Sequence, residues 1–256
     1  MKLSRSTLRN PAQTRTLATT YERQLLRLIK AFGKAAAAAL DQALEPARGL
    51  EAGPVRGLEP TSFQIAWFVQ QLKVLAEAEI VSPGTKITRQ ATLAAFRQGT
   101  KYGEMTLARI GISSKLGEGP ADLQVIDVLQ ARNLTTLEGI SAETNKQIVR
   151  SLTDGLNAGE GVVKLRKRLM KEVEGIGFNR ARLMSHTETM HACNEGAKTR
   201  YRQVGISRVE WLTARGEGVC PQCAALDGTV YDIDKAPPCP LHPMCRCTLL
   251  PAAGGA

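Results

Sequence analysis

Five soft donor side chains fall in two tight clusters near the C-terminus, Cys220-Pro-Gln-Cys223 and His242-Pro-Met-Cys245-Arg-Cys247. Thiolate sulfur and imidazole nitrogen bind zinc tetrahedrally, and a two-residue spacer lets both sulfurs of a Cys-x-x-Cys turn reach one ion. The second cluster supplies the remaining ligands across the intervening segment. With four positions to fill and five donors, the expected set is Cys220, Cys223, His242 and Cys245, with Cys247 the competitor. In a reducing compartment, cysteines grouped in this way favour metal over disulfides. A catalytic zinc would need an open position and a general base. The nearby carboxylates are Glu217 and Asp227, and Asp227 before Gly228 is accounted for as a turn residue. The expectation is a structural ion and no catalytic residue.

A second group is His186, Glu188 and His191. Its spacing is not the i, i+4 histidine pair of zinc proteases. Glu188 and His191 share a helix face, and their expected role is a polar contact that docks their helix on the C-terminal module. Cys193 reads as a compact hydrophobe. Asn194 and Gly196 offer a side-chain amide and a missing Cβ, suited to close backbone approach by the strand of Trp211. Trp211 is the expected aromatic anchor of the module's small core.

Hydrophobic periodicity supplies the elements that must position these groups. Residues 17–45 form one strong helix, ended by Pro46, and the Pro- and Gly-rich stretch 46–60 reads as a linker. Thr61 caps a helix that Pro83-Gly84 breaks, and a second helix from Lys86 to Ile110 would pair with it as an antiparallel hairpin. Ser141 caps a later helix. The next ends at Gly175, and a third starts at Asn179 with Phe178 and Leu183 as a hydrophobic staple and stops at Gly205. Past Gly205 the period changes. Val209, Trp211 and Thr213 alternate as a strand, and Asp227-Gly228 reads as a hairpin turn.

The fold class is therefore α+β, a mainly α-helical, elongated N-terminal region with a small C-terminal zinc-stabilised α/β module. The expected division is 1–135 and 136–256, with the cysteine-rich module at 208–250. Aromatic content of 4% and an abundance of alanine and leucine suit helix packing. No secretory signal and no membrane-length apolar stretch is visible, so the chain reads as soluble and intracellular. Residues 1–120 hold 17 Lys/Arg against 9 Asp/Glu, a net of +8, and residues 121–256 hold 17 against 15, a net of +2. A basic N-terminal half suits nucleic acid or an acidic protein surface.

The C-terminal order resembles the Mu F-like head morphogenesis family of tailed bacteriophages, the minor head proteins. The matching residues are Thr187-Glu188, Ala192-Cys193-Asn194-Glu195-Gly196, Trp211-Leu212-Thr213-Ala214, Cys220/Cys223, Leu226-Asp227-Gly228 and His242-Pro243-Met244-Cys245-Arg246-Cys247. They cover roughly residues 140–250. The chain departs from the family pattern at His186, where arginine is usual, at Arg215-Gly216-Glu217, and at Cys239-Pro240-Leu241, which adds a thiol. The resemblance implies a non-enzymatic protein that joins the procapsid at the portal vertex. Its implied partners are the portal protein and neighbouring capsid components, with non-specific contact to packaged DNA in some relatives and no membrane. It also implies residence in the host cytoplasm during assembly and then in the virion head. Two other classes fit the residues alone: a zinc-dependent nuclease or Glu188-dependent transferase, and a zinc-containing nucleic-acid-binding module.

Overall fold

The structure is a computed structural model and describes residues 12–44, 62–114, 116–214 and 218–252. Five long stretches of helix come first: α1 (Arg15–Leu44), α2 (Ser62–Ala76), α3 (Ser82–Arg109), α4 (Pro120–Asn157) and α5 (Val162–Gln203). Then follow β1 (Arg208–Leu212), the short α6 (Pro221–Leu226), β2 (Val230–Asp232) and β3 (Thr248–Pro251). The protein is mostly helical with a small C-terminal antiparallel sheet, as the sequence predicts. The expected linker at 46–60 and the Thr61 cap lie outside the described residues.

Several expected helix ends are instead helix interior. The predicted break at Pro83-Gly84 is replaced by a π-helical turn, Glu77–Val81, that leads directly into α3. Ser82 donates its backbone N–H to the Glu77 carbonyl, five residues back. The wider turn makes room for a proline, which lacks an N–H and would otherwise press on the carbonyl four residues before it. The predicted helical hairpin is accordingly not formed. Ser141 lies inside α4, because Leu137, Ile140, Ser141, Thr144, Ile148 and Leu152 keep one uninterrupted buried face. Gly175 and Asn179 lie inside α5, and Phe178 and Leu183 are 50% and 41% exposed and form no staple. Gly205 does end α5. Its φ is +79°, and the paired bonds Ile206 N–H to Tyr201 O and Gly205 N–H to Arg202 O close the helix C-terminus.

Contacts gather the chain into two compact units, one of Met1–Glu22, Thr88–Asn133 and Leu183–Ala256, the other of Arg23–Ile87 and Leu134–Arg182. The expected boundary at 135/136 lies within α4. In the second unit, Leu25, Ile29, Phe32, Ala36 and Leu40 repeat at helical spacing on α1 and are buried. Gly33 lies under Val173, and Gly177 under Ile29, so α1 and α5 pack closely there.

In the first unit the sheet has the order β2-β1-β3, all antiparallel. Val209 and Trp211 alternate inward from β1, fully buried against Tyr102, Leu107, Ala197 and Tyr201. Trp211 is among the largest fully buried side chains of this core. The close approach expected of Gly196 belongs to α3, not to the strand of Trp211. A Cβ on Gly196 would overlap the Phe96 carbonyl, and one on Gly99 would overlap the Cys193 carbonyl. The two helix backbones touch here because neither presents a side chain at the crossing.

These glycines make opposite predictions. Gly196→Ala should lower the thermal midpoint, consistent with an overpacking cost of about 1–3 kcal/mol. Gly175→Ala meets no neighbouring atom within 4 Å and should leave the midpoint unchanged or raise it, by about 0.5–1 kcal/mol of helix propensity. Thermal unfolding followed by circular dichroism checks both. The reverse ranking would contradict the uninterrupted α5 and its crossing with α3.

Candidate metal centre

Cys220 is the N-cap of α6, with Pro221 at the first helical position and the Cys223 backbone N–H donating to the Cys220 sulfur at 3.3 Å. Capping therefore turns both sulfurs of the pair to one side. The segment after β2 returns past them. Met244 takes the left-handed conformation at φ +63°, and the Cys245 N–H donates to the His242 carbonyl at 3.1 Å. That tight turn delivers His242, Cys245 and Cys247 to the Cys220–Cys223 side.

Two triads result, Cys220/Cys223/His242 and Cys223/Cys245/Cys247, and within each the donor atoms lie within 4.8 Å of one another. His242 Nε2 stands 3.1 Å from both Cys220 Sγ and Cys223 Sγ. His242 Nδ1 is 2.8 Å from the Pro243 carbonyl. A carbonyl accepts, so Nδ1 carries the hydrogen there, and Nε2 is the ring nitrogen that faces the sulfurs. Sulfurs around a tetrahedral zinc with bonds of about 2.3 Å stand roughly 3.8 Å apart; Cys223 Sγ and Cys245 Sγ are 3.7 Å apart. All five residues that the sequence singles out thus meet in one place, and the donor set fits a soft or borderline divalent ion.

The module's fifth thiol stands apart from these donors. Cys239 is buried apart from both triads, donating its S–H to the Cys247 carbonyl at 3.2 Å and accepting from Asn194 Nδ2 at 3.4 Å. Burial holds its thiol well above the usual range. Cys239 is a packing residue.

Residues 146–250 match the family model for phage Mu protein F like protein. That segment is a Mu F-like domain. An uncharacterized protein of Methanocaldococcus jannaschii is 27% identical over 132 residues, 51% of this chain and 21% of that relative. The match thus spans about one-fifth of the relative's length. No solved structure gives a significant match.

Within the Mu F-like domain, Asn194 joins helix to sheet. Its Nδ2 donates to the Met190 and Cys247 carbonyls at 3.1 and 3.2 Å, while Oδ1 accepts from Thr248 Oγ1 at 2.8 Å and from the Leu249 N–H at 3.4 Å. The strand it reaches is β3, not the strand of Trp211, since β3 begins directly after the cysteine turn. Thr187 accepts from the Met244 N–H at 3.4 Å. The neighbouring Glu188 is 5% exposed and pairs with Arg132 of α4 at 3.3 Å. The expected docking of Glu188 on the C-terminal module is therefore corrected to α4. His191 is largely buried, which together with Arg132 lowers its pKa. Asp227 Oδ1 accepts from both the N–H and the hydroxyl of Thr213, at 2.8 and 3.0 Å. Gly228 has φ +77° and its N–H bonds the Trp211 carbonyl at 2.8 Å. Asp227-Gly228 thus joins α6 to β2 and is not a hairpin turn between paired strands.

Two buried charges escape sequence reading. Arg200 is 2% exposed, with Nε 3.3 Å from Glu104 and Nη1 3.6 Å from Asp122, itself fully buried. The available signal is positional, because Arg200 continues the i, i+4 row of Ala192 and Gly196 that faces the protein interior.

The thiols also set the proton balance of the centre. Burial pushes Cys223 up to about 12, whereas a hydrogen bond from Cys247 draws Cys245 down to about 5 and raises Cys247 in turn. An ion must displace the Cys223 proton, so binding tightens as pH rises and weakens as it falls. Competition titrations against a chromophoric chelator should show affinity rising about tenfold or more per pH unit between about pH 6 and 8. A flat profile would contradict thiolate ligation by Cys223. In the same assay Cys239→Ser should retain the metal and Cys223→Ser should lose it.

Proposed function

We propose that this protein is a bacteriophage minor head protein that joins the procapsid at the portal vertex and meets the packaged DNA. The observation that carries this reading is the Mu F-like domain at 146–250. In this reading the helical region 1–135 engages the portal protein, neighbouring capsid components and DNA. Residues 136–256 form, in this reading, the C-terminal domain that contains the Mu F-like segment, with the zinc module at 208–250. The protein resides in the host cytoplasm during assembly and then in the virion head. No helix among the described residues is long and apolar enough to cross a membrane.

The metal of this proposal is one structural zinc on Cys220, Cys223, His242 and Cys245. It closes a loop of some 20 residues that has little apolar core of its own, and so contributes much of the module's folding energy. Glu188, His191, Asn194, Gly196, Trp211, Asp227 and Gly228 serve structure. The carboxylates support this reading over an enzyme: Glu188 is buried against Arg132, and Asp227 Oδ1 is taken up by Thr213.

Coexpression with portal and coat proteins tests the assembly role. The protein should sediment with procapsids in a gradient, at about one zinc per chain by elemental analysis. If procapsids form and the protein stays at the top of the gradient, the head role fails. If it carries no zinc and all its thiols titrate in the native state, the structural ion fails. Cys220→Ser and Cys245→Ser should expose the region after residue 205 to proteolysis and keep most of the helical signal; loss of that signal would contradict a role confined to the module.

A further inference from the structure

The second unit carries a cationic concavity on α5, outside the basic N-terminal half. Leu165, Leu169 and Val173 form the buried face of this helix, at 2%, 0% and 1% exposure. Lys164, Lys167 and Lys171 stand at i, i+3 and i+7 and are exposed. With Arg168, and with Ser151 of α4, they line an open hollow of about 350 Å³. Two carboxylates also line it, and both are engaged. Glu160 receives a two-pronged contact from Arg168, and Glu172 accepts from the Ser151 hydroxyl at 3.2 Å. Nearby, Arg166 is paired with Asp41 at 3.0 Å. None of the three lysines forms an ion pair among the described residues. The net charge of +2 over residues 121–256 conceals this cluster, since acids elsewhere in that half offset it.

We propose that this hollow grips the phosphodiester backbone of nucleic acid without reading bases. The proposal rests on the reading that the protein meets packaged DNA, and it moves the phosphate-gripping surface from the basic N-terminal half to α5, so that Arg27, Lys30 and Lys34 of that half serve as the comparison. Lining chemistry decides between nucleic acid and an acidic protein. Every lining side chain is charged or a hydroxyl, whereas protein interfaces are depleted in lysine and glutamate and anchored by aromatic and apolar groups. Lysine, arginine and serine are the side chains that contact phosphate oxygens. Seven residues of helix span roughly 10 Å. At about 3.4 Å of rise per nucleotide, that length faces about three phosphates of one strand.

The test is fluorescence anisotropy of the full-length protein with a labelled duplex of arbitrary sequence, at about 50 to 200 mM salt. The variant is Lys164→Ala/Lys167→Ala/Lys171→Ala. The control is Arg27→Ala/Lys30→Ala/Lys34→Ala, which removes the same charge from exposed positions on α1. The first variant should bind at least about tenfold more weakly at about 100 mM salt and flatten the plot of log K against log salt by about 2.7, three contacts at about 0.9 each. The control should keep the wild-type slope, and the three-arginine variant at 164, 167 and 171 should bind as the wild type does. If wild type binds and both alanine variants lose affinity equally, the hollow is not the site, although the DNA reading survives. If wild type fails to bind even at about 50 mM salt, the DNA reading falls and this surface belongs to an acidic protein partner.

Discussion

Thiolates repel one another, and burial makes each of them costly. The C-terminal module nevertheless packs four cysteine sulfurs and one imidazole nitrogen into two triads that share Cys223. Without an ion, protons must do the neutralising, and the hydrogen bond between Cys245 and Cys247 lowers the first thiol and raises the second. A divalent cation held by these donors would replace those protons and tie α6 to the returning segment. The short strands β2 and β3, of three and four residues, are too small to hold that geometry themselves.

The helical body prepares one wall for this module. Gly99 and Gly196 let α3 and α5 touch backbone to backbone, which fixes the face from which Asn194 and Tyr201 project. Asn194 then holds the cysteine turn and the start of β3 by their backbone groups, and the Tyr201 hydroxyl donates to the Leu249 carbonyl at 3.1 Å. Val209 and Trp211 close the core from β1. Asp227 ties the end of α6 to Thr213, so the Trp-Leu-Thr-Ala and Leu-Asp-Gly motifs are two halves of one contact. The motif residues of the Mu F-like domain therefore act mainly as the joints between helix, sheet and metal turn.

The clustering of Cys220, Cys223, His242, Cys245 and Cys247 is legible in the sequence because it is local: a Cys-x-x-Cys turn needs only its own spacing to aim two sulfurs together. The strand of Val209 and Trp211 and the stop at Gly205 were legible for the same reason. Helix interruptions were not. Ser141, Gly175, Asn179 and Pro83 each carry a local boundary signal, but the buried faces of α4 and α5 run through the first three, and a π turn absorbs the last. Tertiary packing outweighs about 1 kcal/mol of local propensity at such sites. The partners of Glu188 and Gly196 are likewise not legible locally, since they lie on α4 and α3, far away in sequence. Arg200 and Asp122 are not legible because buried ion pairs between helices distant in sequence leave only a positional trace.

X-ray absorption spectroscopy of the metal in the natively purified full-length protein addresses the centre most directly. Four-coordinate ligation by Cys220, Cys223, His242 and Cys245 predicts three sulfur scatterers at about 2.3 Å and one nitrogen at about 2.0–2.1 Å. A first shell of oxygen and nitrogen with no sulfur at that distance would place the ion elsewhere and leave the cysteine turn without its organising charge. That result would contradict the account.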